Sequence, residues 1–290
     1  MIKKIILAST FSLFTTIMMA QSFNIGVRAG LNYSTFKGPL EESINEDYGV
    51  SSGFHFGLNY AQNFSDVFSV RLEVLYVQNG AKKSFGGEGT ESFYKIPIPS
   101  SEDIIERGRL DYDLDISNAY ISFPVTAHIN ITEKIEVSAG AYISMLVGPT
   151  ATGLQTFIST ENDSLIQFRQ SLDFNYNSDV AGEGQAIGRS PGIKVNGVVV
   201  YLPKFAGAYY QFNEKRGNVM NFLDYGLIVG VSYNINRGFY IGVRADIGLA
   251  DITNNDTDIS RAEYSENNSY IYRDDKDTHF GLQASFGFRF

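Results

Sequence analysis

From Phe23 onward the chain alternates apolar and polar residues with a period of two. Phe23, Ile25, Val27, Ala29, Leu31 and Tyr33 share one face, and Asn24, Gly26, Arg28, Gly30, Asn32 and Ser34 share the other. Such alternation marks a strand with different surroundings on its two sides. The pattern returns over residues 53–64, 67–83, 135–148, 221–235, 239–252 and 279–290. One more strand is expected over 110–130, where the apolar parity slips. There Tyr112, Leu114 and Ile116 fall on one parity, and Ile121, Phe123, Val125 and Ala127 on the other. A β-bulge near Asn118 is the expected cause. The connections are tight at 65–66, 131–134 and 236–238, and long and polar at 37–52, 84–109, 149–220 and 253–278. Long and short alternate strictly, which puts all tight turns at one end of an antiparallel barrel.

The expected fold is all-β: an eight-stranded antiparallel up-and-down transmembrane β-barrel with short periplasmic turns and long extracellular loops. A soluble eight-stranded barrel of lipocalin type has the same strand pattern with its faces exchanged. Three features favour the membrane form. The polar face is rich in glycine (Gly26, Gly30, Gly57, Gly140, Gly226, Gly230, Gly242, Gly248, Gly281 and Gly287), which suits a crowded interior better than a solvated surface. Aromatic residues bracket the apolar face, with Phe23, Phe64, Phe68, Tyr233, Phe239 and Phe290 at the turn end. Tyr33, Phe54, Tyr76, Tyr225 and Phe280 lie toward the loop end. The chain also ends on the apolar parity, at Phe290.

Residues 1–20 read as a secretory signal. Lys3 and Lys4 precede an apolar stretch shorter than the ~20 residues a spanning helix needs, and Ala20 is a small residue suited to cleavage. The barrel domain is then expected over 21–290, with 149–220 as a long extracellular loop insertion, and the protein is expected to reside in the outer membrane. The chain has no Cys, only 3 His and a net charge of −9. A disulfide framework and a thiolate nucleophile are excluded, and a nucleic-acid partner is disfavoured.

With the apolar face outward, Arg28, Arg71, Glu73, Glu136, Arg244, Asp246 and Arg289 fall inside the barrel. They form either a packed polar network or the lining of a narrow channel for small solutes. An eight-stranded barrel leaves room for little beyond its side chains, which favours the packed network. His55 and His279 lie near the loop end on strands that flank the first, and could come within reach of each other. Two histidines at a rim are more often ordinary hydrogen-bonding residues, so an enzyme is not expected. His128 stands isolated near the turn end. Asn254-x-Asp256-x-Asp258 resembles the opening of a calcium loop, but Ile259 and Ser265 stand where Gly and Glu are needed. No catalytic residue, cofactor or metal site is expected. The segments Val198–Tyr201 and Ala208–Phe212 are expected either to form a hairpin above the membrane or to extend the neighbouring strands.

Several strands carry a family resemblance. Gly26-Val27-Arg28-Ala29-Gly30-Leu31-Asn32-Tyr33-Ser34, Tyr120-Ile121-Ser122-Phe123-Pro124, Asp224-Tyr225-Gly226-Leu227, Gly242-Val243-Arg244 and Phe286-Gly287-Phe288-Arg289-Phe290 resemble strands of the PorT-type outer-membrane β-barrel proteins of Bacteroidetes. The resemblance implies a barrel and no catalytic residues. It also implies that the terminal Phe290 is a signal read by the barrel assembly machinery. The expected partners are outer-membrane lipids, that machinery, and secretion or surface partners met through the loops. The expected role is non-enzymatic, in envelope structure, secretion support or surface recognition.

Overall fold

A computed structural model describes residues 23–41, 44–87, 90–96, 104–160, 166–185, 192–195, 198–265 and 269–290. The expected signal at 1–20 lies outside the described residues. Every regular element described is a β-strand. The strands are β1 (Phe23–Lys37), β2 (Glu46–Asn63), β3 (Phe68–Phe85), β4 (Ser92–Ile96), β5 (Ile104–Asn130), β6 (Ile135–Ser159), β7 (Gln167–Asn175) and β8 (Gly184–Gln185). They continue with β9 (Gly192–Val195), β10 (Val198–Tyr201), β11 (Phe205–Ala206), β12 (Leu223–Asn234), β13 (Phe239–Gly248), β14 (Ile259–Tyr264), β15 (Tyr270–Tyr272) and β16 (Thr278–Arg289).

The long strands pair antiparallel in a cycle. β1 pairs with β2, β2 with β3, β3 with β5, and β5 with β6. β6 then pairs with β12, β12 with β13, β13 with β16, and β16 returns to β1. Closure matters because an open edge in an apolar phase leaves backbone donors and acceptors unsatisfied. The three tight turns share one device. Ser65 Oγ accepts from the N–H of Phe68 at 3.0 Å, Thr132 Oγ1 from that of Ile135 at 3.0 Å, and Asn236 Oδ1 from that of Phe239 at 2.7 Å.

Around the turn end the outward residues are apolar and exposed, among them Leu31, Leu58, Val74, Val125, Ile143, Val229, Val243 and Phe286. An exposed apolar band of this extent marks contact with another apolar phase. Aromatic pairs rim it, Phe64–Phe68 with ring centroids 5.7 Å apart near the turns and Phe54–Tyr76 at 5.6 Å toward the loops. Inside, glycine makes room for large side chains. A Cβ on Gly30 would stand 2.7 Å from the His55 ring, one on Gly226 2.8 Å from the Tyr142 ring, and one on Gly287 2.3 Å from the Tyr240 ring.

The expected bulge near Asn118 is not in β5. Its register with β3 is unbroken from Leu75↔Ser122 to Phe85↔Tyr112. Its even-numbered residues face inward along nearly its whole length, from Glu106 to His128. The shift lies in β6, where Ala119 pairs with Gly148 but Tyr120 with Leu146, leaving Val147 without a partner. What changes along β5 is the surroundings. Toward the turns it presents Val125 and Ile129 outward and Thr126 and His128 inward; toward the loops it presents Asp113 and Asp115 outward and Tyr112, Leu114 and Ile116 inward. Pro124 is accommodated where the β3–β5 pairing lapses, between Leu72↔Val125 and Leu75↔Ser122.

The segments assigned to loops are largely strand. β2, β3, β5 and β6 continue past the apolar band, β4 adds to β5, and β7 adds to β6 from Thr150↔Asn175 to Ile158↔Gln167. The 149–220 segment therefore begins as sheet. Val198–Tyr201 does form a hairpin, but with Gly192–Val195, whereas residues 208–212 form no strand. β12, β13 and β16 stop near the edge of the band. Opposite the tall sheet the space is filled by residues 207–222, 249–265 and 269–277, tied together by Asn221 N–H to Ile252 O at 2.9 Å and Ile252 N–H to Asp277 O at 2.9 Å. The hydrophobic core sits here, built from Phe36, Phe85, Tyr94, Leu110, Phe157, Phe168, Leu172 and Ile252 among others.

Deleting residues 288–290 removes the pairing of Phe288 with both Val27 and Phe239. That truncation is expected to be exported but to fail in membrane insertion, losing the heat-modifiable gel mobility of a closed barrel. Deleting 192–201, a hairpin paired only with itself, should leave insertion intact. A terminal truncation that inserts with normal mobility would show that closure does not depend on β16.

Candidate functional site

The polar interior assembles from inward positions on strands distant in sequence. Glu73 on β3 receives Arg28 of β1 at 3.3 Å and Arg244 of β13 at 2.7 Å. Glu136 on β6 receives Arg71 at 3.0 Å, Arg289 at 2.9 Å and His128 at 2.8 Å. Asp246 lies 3.4 Å from Arg244 Nε and accepts a short hydrogen bond from Gln283 Nε2. Tyr240 lies under two guanidiniums, Arg289 at 4.6 Å and Arg71 at 5.5 Å from its centroid. All seven charged residues expected inside are thus in contact with one another or with a shared partner.

The histidines fall elsewhere than expected. His55 and His279 do not meet. His55 is held by Asn32 Oδ1 at 2.6 Å and Ser285 Oγ at 3.0 Å. His279 Nδ1 lies 3.0 Å from Asp224 and 3.3 Å from the Tyr142 hydroxyl. His128 is not isolated but belongs to the Glu136 cluster and also touches Thr126 Oγ1 at 2.8 Å. Sequence reasoning missed Asp224, Tyr142 and Tyr240. The available signal was parity, since each sits on the polar face of its strand.

Little space remains among these groups. One cavity of about 10 Å³ is bounded by Arg28, Arg71, His128, Tyr240 and Arg244 among others, and a second of about 10 Å³ by Tyr120, Tyr142, Asp246, His279 and Gln283 among others. Each is the size of a single water site. Carboxylates Glu73, Glu136, Asp224 and Asp246 offset guanidiniums Arg28, Arg71, Arg244 and Arg289, so the interior is filled and charge-balanced.

A larger space lies above, between the tall sheet and the segments facing it. This chamber has a volume of about 110 Å³. Its sheet side is apolar and aromatic, with Phe85, Tyr112, Leu114 and Phe174; its other side carries Asp258, Arg273 and Asp277. Lys83 Nζ meets Glu46 Oε1 at 2.7 Å, and Arg273 meets Glu46 at 3.2 Å and Asp275 at 2.6 Å. Against its burial, Lys83, the Glu41 N–H and Arg273 hold Glu46 below the usual carboxylate range. Asp258 behaves oppositely. Burial pushes its carboxyl up to about 6, with Lys83 and Arg273 opposing the shift and Asp275 and Asp277 adding to it.

One oxygen from each of Asp258, Asp275 and Asp277 lies within 4.8 Å of the others. The calcium-like spacing at 254–258 does not form a loop of that kind. Asn254 is occupied by local bonds, its Oδ1 accepting from the Asp256 N–H at 3.1 Å and its Nδ2 donating to Asn218 O at 3.0 Å. The chamber had no signature in the sequence because its residues come from separate strands and loops.

The Glu73 pairing yields a direct test. Glu73→Ala leaves Arg28 and Arg244 buried without their shared counter-ion and is expected to cost roughly 3–5 kcal/mol. Urea unfolding in lipid vesicles measures it; a loss under about 1 kcal/mol would show that the pairing contributes no more than a surface ion pair.

Among solved structures, the chain is similar to the attachment invasion locus protein Ail of Yersinia pestis, at 12% identity over 92% of this chain and 98% of that one, with a TM-score of 0.33. It is also similar to OprG of Pseudomonas aeruginosa, at 9% identity over 93% and 97% with a TM-score of 0.34. Neisserial surface protein A aligns at 12% identity over 92% and 97% with a TM-score of 0.31. No curated protein sequence matches the chain. The family model of the outer membrane protein beta-barrel domain matches residues 19–254. The closed strand cycle, the outward apolar band and this match together show that the chain belongs to the outer membrane protein beta-barrel domain family and resides in the outer membrane.

Proposed function

We propose that this protein is a non-enzymatic, non-conducting surface barrel whose long-strand end forms an extracellular recognition structure. The membrane part is an eight-stranded up-and-down barrel, β1, β2, β3, β5, β6, β12, β13 and β16, with its tight turns in the periplasm. The observation that carries this reading is the filled interior: cavities of about 10 Å³ below and a chamber of about 110 Å³ above. Solute passage would require the ion pairs around Glu73 and Glu136 to part, which leaves buried charge uncompensated. The chamber and the sheet around it are the features elaborated beyond what spanning requires, and binding residues commonly sit on such rim structures.

The strand motifs quoted above support the finer assignment to the PorT type. Phe290 extends past β16, donating its N–H to Ile25 O at 2.8 Å with its side chain exposed. That placement suits a terminal signal offered to the assembly machinery. Lipids would contact the apolar band, and surface or secretion partners the long-strand end.

The test is conductance in planar bilayers. The purified protein is expected to show no discrete channel openings, and Arg71→Ala and Arg244→Ala are expected to open none. Reproducible single-channel steps that either substitution enlarges would overturn the closed-barrel reading in favour of a narrow solute channel.

A further inference from the structure

We propose that the chamber at the long-strand end is a binding site for a primary alkylammonium group, with the ammonium at Asp258 and a short apolar stem against the aromatic wall. The inference rests on the reading of that end as a recognition structure and adds the chemical class of its ligand.

Most polar groups around the chamber already have partners. Glu41 accepts from Ser260 Oγ, from the Arg261 N–H at 3.0 Å and from the Ala262 N–H at 3.3 Å. Glu46 is held by Lys83 and Arg273. Arg273 is further engaged by Asp275 and by Pro39 O at 2.7 Å. Arg261 donates to Gln211 Oε1 at 2.7 Å. Asp258 differs: no described residue donates a hydrogen bond to its carboxylate, and its nearest cation is Arg273 Nε, at 4.0 Å. Asp275 Oδ1, in the same acidic group, is buried with no partner. The cations facing Asp258 are Lys83 and Arg273, and the anions are Asp275 and Asp277. The excess charge at this corner is therefore negative, and it is in need of N–H donors.

A second observation lies on the opposite wall. The hydroxyls of Tyr112 and Tyr176 line the chamber and have no hydrogen-bond partner among the described residues, although the two residues are only 8% and 3% exposed. These hydroxyls are polar positions on a largely apolar wall that water or a ligand can reach. Around them the lining is apolar, and Lys83 faces both them and Asp258. The Tyr112 ring stacks on Phe85 at 4.6 Å, and Leu114 and Phe174 flank it. Apolar protein cavities of about 150 Å³ hold a benzene molecule, so a chamber of about 110 Å³ suits a stem of a few carbons. A bare metal ion at Asp258, Asp275 and Asp277 would leave that apolar space unfilled. An ammonium has the donors that the unpaired acceptors require, and its stem fills the apolar space.

The ligand chemistry has two sources, a free amine or a lysine side chain of a partner protein. Calorimetric titration of the full-length protein in detergent at pH 7.5 tests the site and separates them. n-Butylammonium is expected to bind saturably, while n-butyrate and n-butanol bind about tenfold more weakly or not at all. Asp258→Asn is expected to weaken butylammonium binding by more than about tenfold, in line with loss of one partner of a desolvated charge pair. The same variant should keep its heat-modifiable mobility, because it removes a half-buried charge that lacks hydrogen bonds. Binding should also weaken as pH falls from 7.5 to 5, as the Asp258 carboxyl becomes protonated.

A lysine-containing tripeptide that binds more tightly than butylammonium, and loses binding on side-chain acetylation, would identify a protein partner; weaker peptide binding would identify a free amine. Equal affinity for butanol, or an unchanged affinity in Asp258→Asn, would overturn the proposal. So would calcium chloride binding at Asp258 while butylammonium does not. A barrel that conducts ions yet binds butylammonium would refute only the closed-barrel reading; a silent barrel that ignores butylammonium would refute only this one.

Discussion

The structure depends on one constraint: a strand that alternates side chains must match two different surroundings, and here those surroundings exchange partway along the strand. In the turn-side half the outside is lipid, so apolar residues point out and polar residues share a narrow interior. In the loop-side half the outside is water, so apolar residues point in and build a hydrophobic core of the ordinary kind. β5 carries both halves without a break in its register with β3. Its inward row runs from His128 and Thr126 through Asn118 to Leu114 and Leu110 without changing face. The site, the core and the closed interior all follow from where that exchange occurs.

The lower half explains the charge pairing. A narrow barrel with its apolar residues facing lipid must fill its interior with what remains, and in this chain that is arginine, carboxylate, histidine and tyrosine. Groups of this kind are tolerated away from water only when paired and hydrogen-bonded. Two carboxylates, Glu73 and Glu136, therefore organise most of the cations. Glycine on the same face supplies the room, as at Gly287 beside Tyr240. The upper half is free of that restriction and can leave a chamber open.

Much of the lower half was legible in the sequence. Parity assigned Arg28, Arg71, Glu73, Glu136, Arg244, Asp246 and Arg289 to the interior because each strand there obeys one rule along its length. The same rule misled at Asn118. An exchange of solvent and a one-residue bulge both reverse the apolar parity, and sequence alone does not separate them. The loop-side half was less legible for a related reason. Residues 149–159 continue a strand whose outward face is polar, as at Thr150 and Thr152, and polar alternation resembles loop. Asp258, Tyr112 and Tyr176 are brought to one chamber only by tertiary folding, and no local spacing announces them.

The exchange of surroundings along β5 can be measured directly, because the chain has no cysteine and single introduced cysteines label without competition. Nitroxide labels at Asp113→Cys, Ser117→Cys, Ile121→Cys and Val125→Cys, all outward positions of one strand, report contact with oxygen dissolved in lipid or with a nickel complex in water. The account predicts water contact at 113 and 117 and lipid contact at 121 and 125, with the crossing between 117 and 121. Lipid contact at all four positions, or water contact at 121 and 125, would contradict it.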